Sequence, residues 1–151
     1  MTRANERARS RSAARLAACQ ALYQHEMEGT PLPRLLDEFH QHRLGQTIED
    51  VTYAAAEVDF FDDLVRGVAA RQAEIDAAIG AKLAPGWTLA RLDRPMRQIL
   101  RAGVYELLAR IDVPTATVIS EYVDVADAFY ARREKGFVNG LLDAVAKAVR
   151  G

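Results

Sequence analysis

Apolar residues recur along this chain at three- and four-residue intervals, the spacing of one helix face. No sustained alternating run of β-branched residues competes with that pattern. The first such run predicts a helix from about Asn5 to Glu28, with Leu16, Cys19, Tyr23 and Met27 as its buried stripe. Gly29-Thr30-Pro31 ends it, because glycine and proline interrupt the helical hydrogen-bond ladder. A short helix from about Leu32 to His42 offers Leu35, Leu36 and Phe39 to the core. Gly45 to about Val51 reads as a loop. A long acidic segment follows from about Tyr53 to Leu83, placing Val58, Phe61, Leu64, Val65, Val68, Ile75 and Ile79 at near-helical spacing, with Gly67 marking a bend or a close helix crossing.

Ala84-Pro85-Gly86-Trp87-Thr88 is the strongest break, and it divides the chain into 1–84 and 85–151. Beyond it Asp93 is a good N-cap, and Pro95 is tolerated in the first turn, where its missing donor costs nothing. That helix runs to about Arg110 and buries Ile99, Leu100, Val104, Leu107 and Leu108. Asp112-Val113-Pro114 restarts the chain, and a helix from Pro114 to about Tyr130 presents Val118, Ile119, Tyr122, Val123 and Ala126. The last helix, from about Glu134 to Arg150, buries Phe137, Val138, Leu141, Leu142, Val145 and Val149. The predicted fold class is all-α.

The 151 residues are 50% hydrophobic and 27% charged, the balance of a globular protein. No apolar run approaches the roughly 20 residues of a membrane span, and the arginine-rich start has no apolar segment of a secretory signal behind it. One cysteine, Cys19, excludes an intrachain disulfide framework, so a cytoplasmic setting is expected. The formal net charge of −1 conceals an asymmetry. Arg3, Arg7, Arg9, Arg11 and Arg15 face Glu6 alone at the start. Residues 37–76 hold ten acids against three arginines, and residues 82–101 turn basic again. Two basic segments around an acidic middle point to an anionic partner and a second, basic one.

Catalytic constellations are missing. His40 and His42 are two residues apart and point to different sides of a helix, so they do not chelate one metal. Asp62 and Asp63 diverge for the same reason. Cys19 sits among Leu16, Ala18 and Leu22 as a small buried hydrophobe rather than a nucleophile. No glycine-rich phosphate loop is present. The arginines carry more information. Arg7, Arg11 and Arg15 at i, i+4 and i+8 form a stripe about 12 Å long, able to follow the phosphates of a single strand, with Ser10, Ser12 and Gln20 nearby. Arg94, Arg97 and Arg101 form a second. Gly136 and Gly140 inside a helix cost about 1 kcal/mol each; the expected compensation is close helix approach with Phe137 in the core, and Arg132-Arg133-Glu134-Lys135 lies against a polyanion.

With these residues in view the chain resembles the NusB family of bacterial transcription antitermination factors over nearly its whole length. The resemblance rests on Gln20-Ala21-Leu22-Tyr23, on Phe60 to Val68, on Ile99 to Leu107, on Asp112-Val113-Pro114 with Ile119-Ser120-Glu121, and on Lys135 to Asp143, which contains Phe137-Val138-Asn139-Gly140. It implies two three-helix subdomains, no enzymatic activity, no cofactor and no metal. It also implies boxA-type RNA of ribosomal RNA transcripts as ligand and NusE, a small-subunit ribosomal protein, as partner, both within an antitermination complex on RNA polymerase. By position it assigns RNA-facing roles to Arg7, Arg11 and Arg15, to Tyr23 and to Arg101, and it puts Arg133, Lys135 and Phe137 in the RNA- and partner-facing region.

The chain departs from many relatives after Pro114, where Thr115 and Ala116 stand in place of an aromatic and a lysine, so a stacking ring and a cation are missing there. The acids Glu57, Asp59, Asp62 and Asp63 are expected to steer NusE. Self-association into a homodimer through the RNA- or NusE-facing side is a further expectation. The competing readings are a helical protein–protein adaptor or homodimer without an RNA role, and the helical domain fused to ribosomal RNA cytosine methyltransferases. The latter is disfavoured because no cofactor-binding domain follows Gly151.

Overall fold

The computed structural model describes residues 3–42, 47–48, 51–52, 57–130 and 132–151, with side chains described for 5–42, 57–130 and 134–151. Seven α-helices lie among them: α1 (Arg3–Glu28), α2 (Leu32–His42), α3 (Val58–Ala70), α4 (Gln72–Gly80), α5 (Arg94–Ala109), α6 (Thr115–Phe129) and α7 (Arg132–Val149). A 3₁₀ turn, Leu89–Arg91, precedes α5. Most of the expected loop from Gly45 to Val51 lies outside the described residues. Within it β1 (Thr47–Ile48) and β2 (Val51–Thr52) pair antiparallel, Thr47 opposite Thr52 and Ile48 opposite Val51.

By packing, the chain forms two units, 1–66 and 67–151, where the sequence pattern placed its division at 84/85. The reason lies in α4, which packs on α5 and α7 and so groups with the C-terminal helices despite the Pro85-Gly86 break. The boundary falls inside α3.

In the first unit α1 packs against α2. Its buried apolar stripe is Ala14, Ala18, Cys19, Ala21 and Leu22; of the predicted Leu16, Cys19, Tyr23 and Met27 only Cys19 belongs to it, and Leu16 is half-buried. Cys19 is buried, but Tyr23 is 38% and Met27 46% exposed. Alanines read weakly as hydrophobic in a sequence, yet small side chains let a neighbouring helix come close, and here they set the face. Gly29 adopts φ 68°, and its N–H donates to the His25 carbonyl at 3.0 Å, stopping α1 where the sequence predicted. Leu35, Leu36 and Phe39 are buried as expected, and the Phe39 ring stacks on Phe61 of α3 at 5.5 Å between centroids.

The expected single segment from Tyr53 to Leu83 is two helices, and its start, 53–56, lies outside the described residues. Arg71 (φ −114°, ψ 21°) separates α3 from α4. The ladder still crosses it, from Arg71 N–H to Gly67 C=O and from Ile75 N–H to Arg71 C=O, each 3.0 Å, so the junction is a kink. Val58, expected in the core, is exposed; the rest of that predicted set is buried.

In the second unit α5 is the central element, buried without interruption from Gln98 to Leu107. The Asp93 carboxylate caps it, accepting the Met96 N–H at 3.0 Å. Glu106, fully buried, accepts the hydroxyl of equally buried Tyr122 on α6 at 2.7 Å. Of the expected core, Leu108, Ile119 and Val123 are half-buried, while Phe137 and Val149 are exposed. The glycine pair of α7 is also corrected. A Cβ on Gly136 or Gly140 would meet nothing within 4 Å, so neither serves a close helix approach.

Candidate nucleic-acid interface

The i, i+4, i+8 arginines do share one side of α1, but they grade from open to closed. The Arg7 side chain is 68% exposed and that of Arg11 16%. Arg15 is 2% exposed, a core cation rather than a surface one. The local cause is Phe60 on α3, whose ring carries both deeper guanidiniums. The Arg11 Cζ lies 4.6 Å and the Arg15 Cζ 5.0 Å from its centroid. Just before α3, Glu57 accepts the Arg11 Nε–H at 2.9 Å, and the same oxygen lies 3.9 Å from Arg7 Nε. The Ser10 and Ser12 hydroxyls donate back to the Glu6 and Ala8 carbonyls at 3.0 Å. Farther along α1, Tyr23 and Met27 present an exposed phenol and thioether.

The acids of this unit are sorted by their partners. His40 Nε2 lies 2.6 Å from Asp62 Oδ1, tying α2 to α3. Of the four acids expected to steer a basic partner Asp59 is exposed, while Glu57, Asp62 and Asp63 are half-buried.

In the second unit the stripe of Arg94, Arg97 and Arg101 splits. Arg94 is exposed and Arg97 half-buried, while Arg101 is 8% exposed and forks onto Asp76 of α4, Nε to Oδ1 at 2.8 Å and Nη2 to Oδ2 at 3.0 Å. Lys135 pairs with Asp127 at 2.9 Å and lines a cleft of ≈ 590 Å³ between α6 and α7 with Ile119, Ser120, Val123 and Asn139. Phe137 opens instead on a groove of ≈ 640 Å³ shared with Trp87, Arg91 and Met96. Trp87 is 50% exposed, and the Arg91 guanidinium lies 5.2 Å from its ring centroid. The side chain of Arg133 lies outside the described residues. The sequence shows Trp87 only as part of a break, Glu57 only as a steering acid and Phe60 only within a motif. The pairing of Glu57, Phe60 and Asp76 with arginines is not visible there, since each meets its arginine 25 or more residues away in the chain.

Asp93 does double duty, because its Oδ1 also accepts the Tyr130 hydroxyl at the end of α6. Burial, and then this bond, push the Tyr130 phenol well above its ordinary value of 10.0. A raised folded-state value stabilises the fold in full below pH of about 10 and ceases to do so as pH rises through the phenol's higher folded-state value. Tyr130→Phe should therefore cost about 1 kcal/mol at neutral pH. Urea unfolding of wild type and variant should converge as pH is raised beyond 10.

Helix faces that display arginine and exposed aromatic rings define a helical binding protein. Among the described residues no three His, Cys, Asp or Glu side chains group as a metal site, and no helix is long and apolar enough to cross a membrane. The NusB family model matches residues 12–147. The chain is 68% identical over 146 residues to the transcription antitermination protein NusB of Sphingopyxis alaskensis, covering 97% of this chain and 98% of that one. It is 69% identical over 142 residues to that of Novosphingobium aromaticivorans, covering 94% and 96%. A solved structure of the antitermination factors NusB and NusE in complex with dsRNA superimposes with a TM-score of 0.77 at 28% identity, over 93% of this chain and 98% of that one. The chain belongs to the NusB family, and with it to non-enzymatic regulators of transcription.

Proposed function

We propose that this protein is an RNA-binding transcription antitermination factor of the cytoplasm. In this reading it takes boxA-type RNA of ribosomal RNA transcripts together with NusE and acts on RNA polymerase. The observation that carries the reading is 68% identity, across 97% of the chain, to a transcription antitermination protein. A similar solved structure holds NusB with NusE and RNA, which gives the two partner classes. The open Arg7 and the half-buried Arg11 of α1 supply phosphate contacts, and Tyr23 and Phe137 supply exposed rings on which bases stack. The exposed acid Asp59 suits attraction of a basic ribosomal protein.

Titration of boxA-type against scrambled RNA, with and without NusE, tests this. The expected result is preference for the boxA-type strand, sharpened by NusE; equal binding of both strands in both conditions refutes it. Within this reading the α1 arginines divide their labour. Replacing Arg7 and Arg11 together with alanine should weaken RNA binding and flatten its salt dependence by about 1.4 in log–log slope, two single-strand phosphates' worth. Arg15→Ala should act on stability instead, costing about 2 kcal/mol for the lost packing on Phe60. An unchanged salt slope in the double variant removes both residues from the RNA contact.

A further inference from the structure

We infer that Glu57 is a competitor of RNA built into the fold, occupying the arginines of α1 until a phosphate displaces it; this rests on the RNA-binding reading above. The carboxylate is placed by its backbone. The Glu57 N–H donates to the Ser10 carbonyl of α1 at 3.4 Å, and its C=O accepts the Phe61 N–H at 2.9 Å, beginning α3. The residue is thus tied by its N–H to the helix that carries the arginines and by its C=O to the first turn of α3, so the carboxylate can swing while the backbone stays in place. Its Oε2 takes the Arg11 Nε–H at 2.9 Å and lies 3.9 Å from Arg7 Nε.

Carboxylate and phosphate compete for the same guanidinium fork. The Arg11 guanidinium lies over Phe60 at 4.6 Å, and its side chain is only 16% exposed. A phosphate reaching Arg11 therefore meets Glu57 there and must displace it or share the cation with it. Arg7, 68% exposed, remains reachable but lies in the field of the same negative charge. The Glu57 side chain is 32% exposed, so it can turn out into water when displaced.

The consequence is a constant penalty on every polyanion. Such a penalty leaves the ratio of affinities between two RNAs unchanged. It lowers both, so that strands held by phosphate contacts alone fall below useful occupancy, while a strand that also offers base contacts stays bound. Glu57 sets that threshold.

Glu57→Gln keeps the shape and the backbone bonds and removes the charge. The probes are boxA-type and scrambled single-stranded RNA oligonucleotides of equal length. At low salt Glu57→Gln should bind both about two- to fivefold more tightly than wild type, the scale of a partly exposed ion pair. Its salt slope should steepen by up to about 0.7, one single-strand phosphate. In an Arg11→Ala background the same substitution should gain less than half as much, which ties the effect to that pair. Matching thermal melts show that the gain is not structural. Wild type that binds RNA while Glu57→Gln binds equally or more weakly overturns the inference alone, and makes Glu57 an orienting partner of Arg11. Failure of wild type and both variants to bind either RNA overturns the RNA-binding reading, and the inference with it.

Discussion

Replacing Gly67 with alanine will destabilise this protein by roughly 3 kcal/mol, the upper part of the range for overpacking a filled core. A Cβ at that position would overlap the phenol ring of Tyr105, at Cζ, Cε1 and the hydroxyl oxygen. Tyr105 is only 6% exposed, on the central helix α5, so its ring has little room to move aside. For a chain of this size the loss corresponds to a fall in Tm of roughly 10 °C. The cause is checked by a second substitution. In a Tyr105→Val background the space is vacated, and Gly67→Ala should then cost less than about 1 kcal/mol. If the penalty persists there, it is not the ring that demands glycine.

Arg150→Ala is expected to have an effect of similar size, about 3 kcal/mol, through the loss of one many-pronged clamp. The guanidinium donates to the carbonyls of Leu107 at 2.9 Å, Val113 at 2.8 Å, Arg110 at 2.9 Å and Glu106 at 3.3 Å, and to the Thr115 hydroxyl at 3.0 Å. Three of those carbonyls belong to the C-terminal end of α5, where a cation also meets the negative end of the helix dipole. A lysine cannot present the planar fork, so Arg150→Lys should recover less than half of the loss. Lys147→Ala provides the contrast. Its ion pair with Asp143 is exposed, and removing it should change stability by less than about 0.5 kcal/mol. Urea unfolding of the three variants measures the order; an Arg150→Ala protein as stable as Lys147→Ala would show that the clamp carries no stability. The same clamp accounts for Thr115. Directly after Pro114, its side chain offers the hydroxyl that Arg150 uses.

Most helices and their ends were legible in the sequence, because those depend on neighbours three and four residues apart; the junction of α3 and α4 at Arg71 was not. The run of Leu35, Leu36 and Phe39, the Asp93 cap and the Gly29 stop all act within a turn or two of where they stand, and α2 fell on Leu32–His42 as read. Family membership was legible for a related reason, since motifs such as Phe137-Val138-Asn139-Gly140 are linear. What the tertiary structure decided is which face of each helix is covered, and by what. Periodicity places Tyr23, Met27 and Phe137 on apolar stripes without knowing whether a neighbour arrives, and all three stayed exposed. The α1 stripe of Arg7, Arg11 and Arg15 is one object in the sequence and three in the fold. Phe60 of α3 and Glu57 just before it approach and take two of the arginines progressively out of water. Arg101 lost its apparent freedom to Asp76 in the same way. A charge reads as exposed until the chain brings its counter-charge back from 25 or 46 residues away, and no local pattern records that return.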